Sequence, residues 1–289
     1  MKNLLYLVLA ILFSNIIEAK DITSTIEKLI EKGKLEQAEN AIYQAQAEGE
    51  FSPALQIYLA RIFFLKKNIK NAYETLMGIE DPADFKTRAK LLSFLLEFGD
   101  TALSLRYNDM ATNILYKIYK LDPDYPLGPR SRLIALSQME QGNYEEAKKL
   151  FEKFLAEGGN FDDIAQNYIK CLYLLSQWNE IIKNSTKILK YKEDAELQFI
   201  LGESYFNMAR IYLDNSMYDS ALVNFNKFIQ WGIPKIYLDD AYYYKGLILE
   251  TLQDFKGALE CYYKVLALAP PRSIYARKSR ERISELEKK

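Results

Sequence analysis

The chain has 289 residues, 49% of them apolar and 27% charged, with a formal net charge of −1. That balance suits a folded soluble protein, excludes wholesale disorder, and leaves no global field to draw the chain onto nucleic acid or lipid. Histidine is absent, so acid–base chemistry near neutral pH and most zinc sites lose their commonest residue.

Residues 1–19 read as a secretory signal. Lys2 supplies the positive start and Leu4 to Phe13 is an unbroken apolar run, about half the ~20 residues of a membrane-spanning helix. Cleavage is expected after Ala19, although Ile17 stands where a smaller residue is usual; retention of the segment as an uncleaved anchor is the alternative. No cysteine follows the run, so a lipid anchor is not expected. The remainder is expected to be soluble, secreted across the inner membrane and periplasmic.

Beyond the signal, self-similarity dominates. Gly142-Asn143-Tyr144-Glu145-Glu146-Ala147 is followed by Phe151 and Phe154. Related segments end at Ala38, Ala72, Ala221 and Ala258, each with apolar residues four and seven positions later: Ile42 and Ala45, Leu76 and Ile79, Phe225 and Phe228, Tyr262 and Val265. Weaker copies carry Ala111 with Leu115 and Ile118, and Ile181 with Ser185 and Ile188. The markers at 38, 72, 111, 147, 181, 221 and 258 are 34, 39, 36, 34, 40 and 37 residues apart. The internal spacing is one face of an α-helix.

This pattern resembles the tetratricopeptide repeat, a 34-residue unit of two helices. The family's first-helix signature is clearest in Gln198-x-x-Leu201-Gly202-x-x-Tyr205 and Tyr242-x-x-Lys245-Gly246-x-x-Leu249, and looser around Leu59-Ala60 and Ile134-Ala135. The resemblance implies an all-α, right-handed superhelical solenoid of about seven such repeats plus a C-terminal capping helix. Three repeats are expected over 20–121, a Pro-rich hinge at 122–129, four repeats over 130–272 and the cap over 273–289. In the cap, Ser273 opens a helix reaching about Leu286, with Ala276, Ile283 and Leu286 facing inward. Extra residues between Gly202 and Ala221, and between Phe98 and Met110, lengthen the first helices of the sixth and third repeats. Cys171 and Cys261 lie too far apart along such an array for a disulfide and are expected as buried small hydrophobes.

No catalytic constellation is present. There is no phosphate-binding glycine loop, and Asp122, Asp124 and Asp239-Asp240 lack calcium-loop spacing. The reading is therefore a non-enzyme without cofactor or metal. In the family the first helices line a concave groove that takes a peptide or helix of a partner protein. Carried over, that face comprises Tyr58, Arg61 and Phe64; Lys90, Phe94 and Glu97; Arg132, Leu136 and Met139; Gln166, Lys170 and Tyr173; Phe199, Glu203 and Phe206; and Tyr243, Tyr244 and Leu247. Aromatic residues among Arg, Lys and Glu match the composition of binding hot spots. The expected role is an extracytoplasmic scaffold or adaptor in assembly or maintenance of a cell-envelope complex, without nucleic acid and with membranes reached only through partners. A glycan- or peptidoglycan-binding module, or the non-catalytic subunit of an envelope enzyme, is the alternative.

Overall fold

The computed structural model describes residues 22–288, so the expected signal lies outside the described residues. Among the described residues every regular element is helical, and no helix is long and apolar enough to cross a membrane. The chain divides into two compact units, the first ending at Arg130 and the second beginning at Ser131.

The first unit holds α1 (residues 22–31), α2 (Leu35–Ala47), α3 (Pro53–Leu65), α4 (Ile69–Gly78), α5 (Phe85–Ser104) and α6 (Asn108–Leu121). The second begins within α7 (Arg130–Glu140) and continues with α8 (Tyr144–Ala156), α9 (Ala165–Leu174), α10 (Trp178–Lys183), α11 (Ser185–Ile188), α12 (Ala195–Asp214), α13 (Tyr218–Trp231), α14 (Leu238–Thr251), α15 (Phe255–Leu268) and α16 (Ile274–Leu286).

Seven turns of one geometry join these helices into hairpins. Gly33, Lys67, Arg106, Gly142, Ser176, Ser216 and Gln253 all take positive φ, between 55° and 80°. In each turn the left-handed residue's N–H donates three positions back, and the next residue's N–H donates five positions back, as in Lys67 to Phe64 (3.0 Å) and Asn68 to Phe63 (2.9 Å). This is the Schellman closure, which satisfies carbonyls left open at a helix end. The residue that donates five positions back is also the N-cap of the next helix, as Asn68 is for α4 and Asp254 for α15. Its carbonyl accepts from the marker residue's N–H, as in Ala147 to Asn143 (2.9 Å) and Ala258 to Asp254 (2.9 Å).

The repeat markers therefore recur at one structural position, the fourth residue of α2, α4, α6, α8, α10, α13 and α15. All seven are fully buried. Six of the seven are alanine, small enough for the paired helices to approach closely; Ile181 is the exception. One copy departs from the pattern. Where the apolar follower is replaced by Ser185, the helix breaks at Asn184, whose side chain donates to the Glu180 carbonyl (2.9 Å), leaving α10 and α11 as two short pieces.

The long first helices are present: α5 and α12 each span 20 residues, against 13 for α3 and 14 for α14. Lys117 of α6 reaches α4's C-terminal end and donates to the carbonyls of Leu76, Met77 and Ile79 (3.1, 2.7 and 2.6 Å), placing a cation where the helix dipole favours one. The Pro-rich segment 122–129 buries Leu127 completely. Beside it, Arg130 holds Asp100 through two 2.6 Å bonds.

In the second unit, Ser273 caps α16 by accepting from the Ala276 N–H (3.1 Å). Ala276, Ser279, Ile283 and Leu286 are buried, so α16 covers the apolar side of the last hairpin as a terminal cap must. Cys171 and Cys261 are both buried free thiols, and burial pushes both thiol pKa values up.

Candidate binding groove

In the first unit the six expected groove residues meet. Arg61 pairs with Glu97 and lies 5.0 Å from the centroid of the Phe94 ring. Lys90 bonds the Tyr58 hydroxyl (2.7 Å) and Glu27 (2.9 Å). Phe64 packs edge-on against Phe94 at 5.7 Å and against Phe98 at 4.9 Å. Burial works against the Lys90 ammonium, but its bonds to Tyr58 and Glu27 outweigh this and raise its pKa. The Lys90 hydrogen bond, in turn, holds the Glu27 carboxyl below its usual range.

Tyr58, Arg61, Lys90 and Phe94 line a cavity of about 650 Å³, together with Glu27, Ile30 and Glu31 of α1, Ile57 of α3, and Phe85, Lys86, Ala89 and Ser93 of α5. The floor is apolar. Acidic residues stand on the α1 wall, and the cations stand on the α3 and α5 walls. Phe85 is 87% exposed, an aromatic ring held at the rim of an open groove. Its position follows from α5's first turn, where the Asp84 side chain accepts from the Thr87 N–H (2.8 Å) and sets Phe85 as the first helical residue. The α1 carboxylates, Phe85 and Lys86 were not among the residues expected from the sequence.

The second unit places its candidates differently. Arg132, Leu136 and Met139 on α7 are half-buried. On α9, Gln166 bonds Asp194 (2.6 Å), Lys170 pairs with Glu196 (2.9 Å) and the Tyr173 hydroxyl donates to Glu203 (2.8 Å). Phe199, Tyr244 and Leu247 are half-buried. The expectation that Phe206 and Tyr243 offer their rings to a partner needs correction, since each is 6% exposed. Phe206 stacks on Tyr237 at 5.0 Å and packs on Phe225 and Phe228. Tyr243 packs on Tyr262 and Tyr275. Both rings fill space between helices, so their area is already spent on stability. Phe94, 3% exposed, is likewise largely a packing residue, although its remaining edge reaches the cavity of the first unit.

Among the described residues no group of three or more His, Cys, Asp or Glu could hold a metal. One carboxyl is nonetheless perturbed. Burial, and then the charge of Asp239, push Asp240 up to about 6 from an ordinary 3.8, with Arg210 pulling the other way. A folded-state pKa above the unfolded one means the folded chain binds the proton more tightly, so stability falls as pH rises from about 4 through 6. Asp240→Asn is expected to raise the urea midpoint at pH 7 and to leave it unchanged below pH 4. An equal shift at both pH values would show that ionisation is not the cause.

Two stretches, residues 133–157 and 239–272, match family models described as tetratricopeptide repeat. No curated protein sequence matches the chain. Similar solved structures include YrrB, described as a TPR protein with an unusual peptide-binding site, at 21% identity over 65% of this chain and 90% of that one, TM-score 0.35. The C-terminal part of a TPR repeat-containing protein from Cytophaga hutchinsonii is 13% identical over 89% of this chain and 98% of its own, TM-score 0.35. A tetratricopeptide repeat protein from Parabacteroides merdae is 14% identical over 93% and 98%, TM-score 0.33. Tetratricopeptide repeats are therefore present in this chain, at 133–157 and 239–272.

Proposed function

We propose that this chain is a protein-binding scaffold, exported to the periplasm, that engages a peptide or helix of a partner in a cell-envelope complex through the groove of its first unit. The observation that carries the reading is the roughly 650 Å³ open cavity lined by Ile57, Tyr58, Arg61 and Lys90 and edged by Phe85. An apolar floor flanked by opposed charges supports an amphipathic segment better than a rigid small molecule, because the exposed Glu31 and Lys86 on opposite walls can pair with side chains of the opposite sign. Export is supported by the basic-then-apolar character of residues 1–19.

The test is affinity capture from envelope extracts with the full chain as bait. A defined protein should be recovered, and Arg61→Glu combined with Phe85→Ala should lower its capture at least tenfold with the helical circular dichroism intact. Arg61→Glu sets like charges against Glu97 on a groove wall, and Phe85→Ala removes the exposed ring. Undiminished capture by that variant would overturn the groove assignment. Sedimentation of the chain with insoluble sacculi, unaccompanied by any captured protein, would favour the glycan-binding reading instead.

A further inference from the structure

The seven hairpin turns share one backbone geometry, yet their side chains differ sharply between the two units. In the first unit the three-residue turns are Lys32-Gly33-Lys34, Lys66-Lys67-Asn68 and Leu105-Arg106-Tyr107, carrying five cations and no anion. The corresponding turns of the second unit are Gln141-Gly142-Asn143, Leu175-Ser176-Gln177, Asn215-Ser216-Met217 and Leu252-Gln253-Asp254, carrying no cation and one anion. Shared geometry therefore does not dictate the charge. Lys66 is occupied by Glu39 (2.6 Å) and Glu36 (3.3 Å) of α2, which also fixes the second turn beside the first. Lys32, Lys34, Lys67 and Arg106 are exposed. The exposed carboxylates Glu31, Glu36 and Asp109 and the half-buried Glu39 lie on the flanking helices, so the five turn cations exceed the neighbouring carboxylates by one.

Exposed apolar side chains are interleaved with these cations: Leu65 (42%), Leu105 (49%) and Tyr107 (51%). The third turn also stands proud of the second. The Phe64 and Phe98 rings meet at 4.9 Å, but Lys67 follows Phe64 by three residues and Arg106 follows Phe98 by eight. Five extra residues at ~1.5 Å each carry the Leu105-Arg106-Tyr107 tip about 7 Å further out. Lys67 and Arg106 hold φ of 61° and 63°, a conformation that glycine would adopt with less strain.

We infer that the turn edge of the first unit is a docking surface for a membrane containing anionic phospholipid, a second interaction face independent of the groove. Clustered cations supply attraction to anionic headgroups, and the projecting Leu and Tyr sit where aliphatic and aromatic side chains favour the interface. A soluble polyanion would satisfy the cations but leave Leu65, Leu105 and Tyr107 without a role, so the lipid surface accounts for both features. Direct lipid contact departs from the expectation that membranes are reached only through partners, and the vesicle experiment decides between them.

Flotation of the full chain with phosphatidylcholine vesicles, with and without phosphatidylglycerol, tests this. Phosphatidylcholine alone accounts for binding by the apolar run at residues 4–13. The expected result is stronger partitioning onto the anionic vesicles, with the excess abolished by high salt. Lys67→Gly with Arg106→Gly should weaken that excess about 25-fold, at about fivefold per cation removed, while raising the melting temperature because the left-handed strain is relieved. A more stable variant with weaker binding separates the surface role from the fold. Leu105→Ser with Tyr107→Ser should weaken the same excess. Unchanged partitioning of the glycine variant would overturn the proposal. So would an unaltered Leu105→Ser, Tyr107→Ser variant that is captured on heparin as well as on vesicles, since the edge would then be a polyanion site.

Discussion

Gly202→Ala is expected to destabilise the second unit by about 3 kcal/mol, although the same change in a free helix would be favourable by about 1 kcal/mol. Gly202 lies within α12, and a Cβ there would sit 1.7 Å from the Ile233 carbonyl oxygen and 2.9 Å from Cδ1 of Trp231. Neither neighbour can yield cheaply. The Ile233 oxygen is backbone, and the Trp231 indole is fixed by its N–H bond to the Gln198 carbonyl (3.0 Å) on the same helix. Relief requires α12 to separate from the segment after α13, breaking that bond and opening the aromatic packing around Phe206 and Phe225. Gly78→Ala is the control, because Gly78 is also helical, as the last residue of α4, but faces open space; it should be neutral or slightly stabilising. Equilibrium urea unfolding of the two variants separates steric loss from propensity. A Gly202→Ala chain as stable as the parent would refute the close approach.

The second large effect is expected at Phe98. Its ring is fully buried and meets Phe64 at 4.9 Å and Phe94 at 6.2 Å. Phe98→Ala should cost about 3–5 kcal/mol, the loss of transfer energy plus a cavity that helices of fixed spacing cannot fully collapse. It should also weaken partner binding beyond its effect on stability, because Phe94, packed on Phe98, forms part of the cavity lining. Phe64→Ala, which truncates a half-exposed ring, should cost less. If both truncations cost the same in urea, the aromatic trio is not the core element described.

The markers were legible in the sequence because they depend on short-range chemistry, whereas five of the seven left-handed turn positions carry no glycine to announce them. An apolar face at four and seven residues beyond a small marker can be read without knowing what lies opposite, and the capping pattern around Ser273 is equally local. The groove was only partly legible. Tyr58, Arg61, Phe64, Lys90, Phe94 and Glu97 come together because α3 and α5 repeat the same register. Phe206 was misjudged because its stacking partner Tyr237 lies in a short 3-10 connector, Lys235–Tyr237, which no periodicity places. Phe85 and Lys86 were missed because the third repeat's signature is weak at its start, although the Asp84-x-x-Thr87 cap marks that boundary. The break at Asn184 had a faint signal in Ser185, a polar residue at a position filled elsewhere by Ile, Leu, Phe or Tyr.

The recurring left-handed turn also bears on how the chain assembles. Each hairpin closes through bonds spanning only three to five residues, so little loop entropy is lost before the paired helices begin to bury their faces. A chain built this way has low contact order, and such topologies reach the native state in microseconds to milliseconds. Any hairpin can serve as the starting point, with its neighbours added in sequence. Rapid local closure also shortens the time in which apolar helix faces stand open to aggregation.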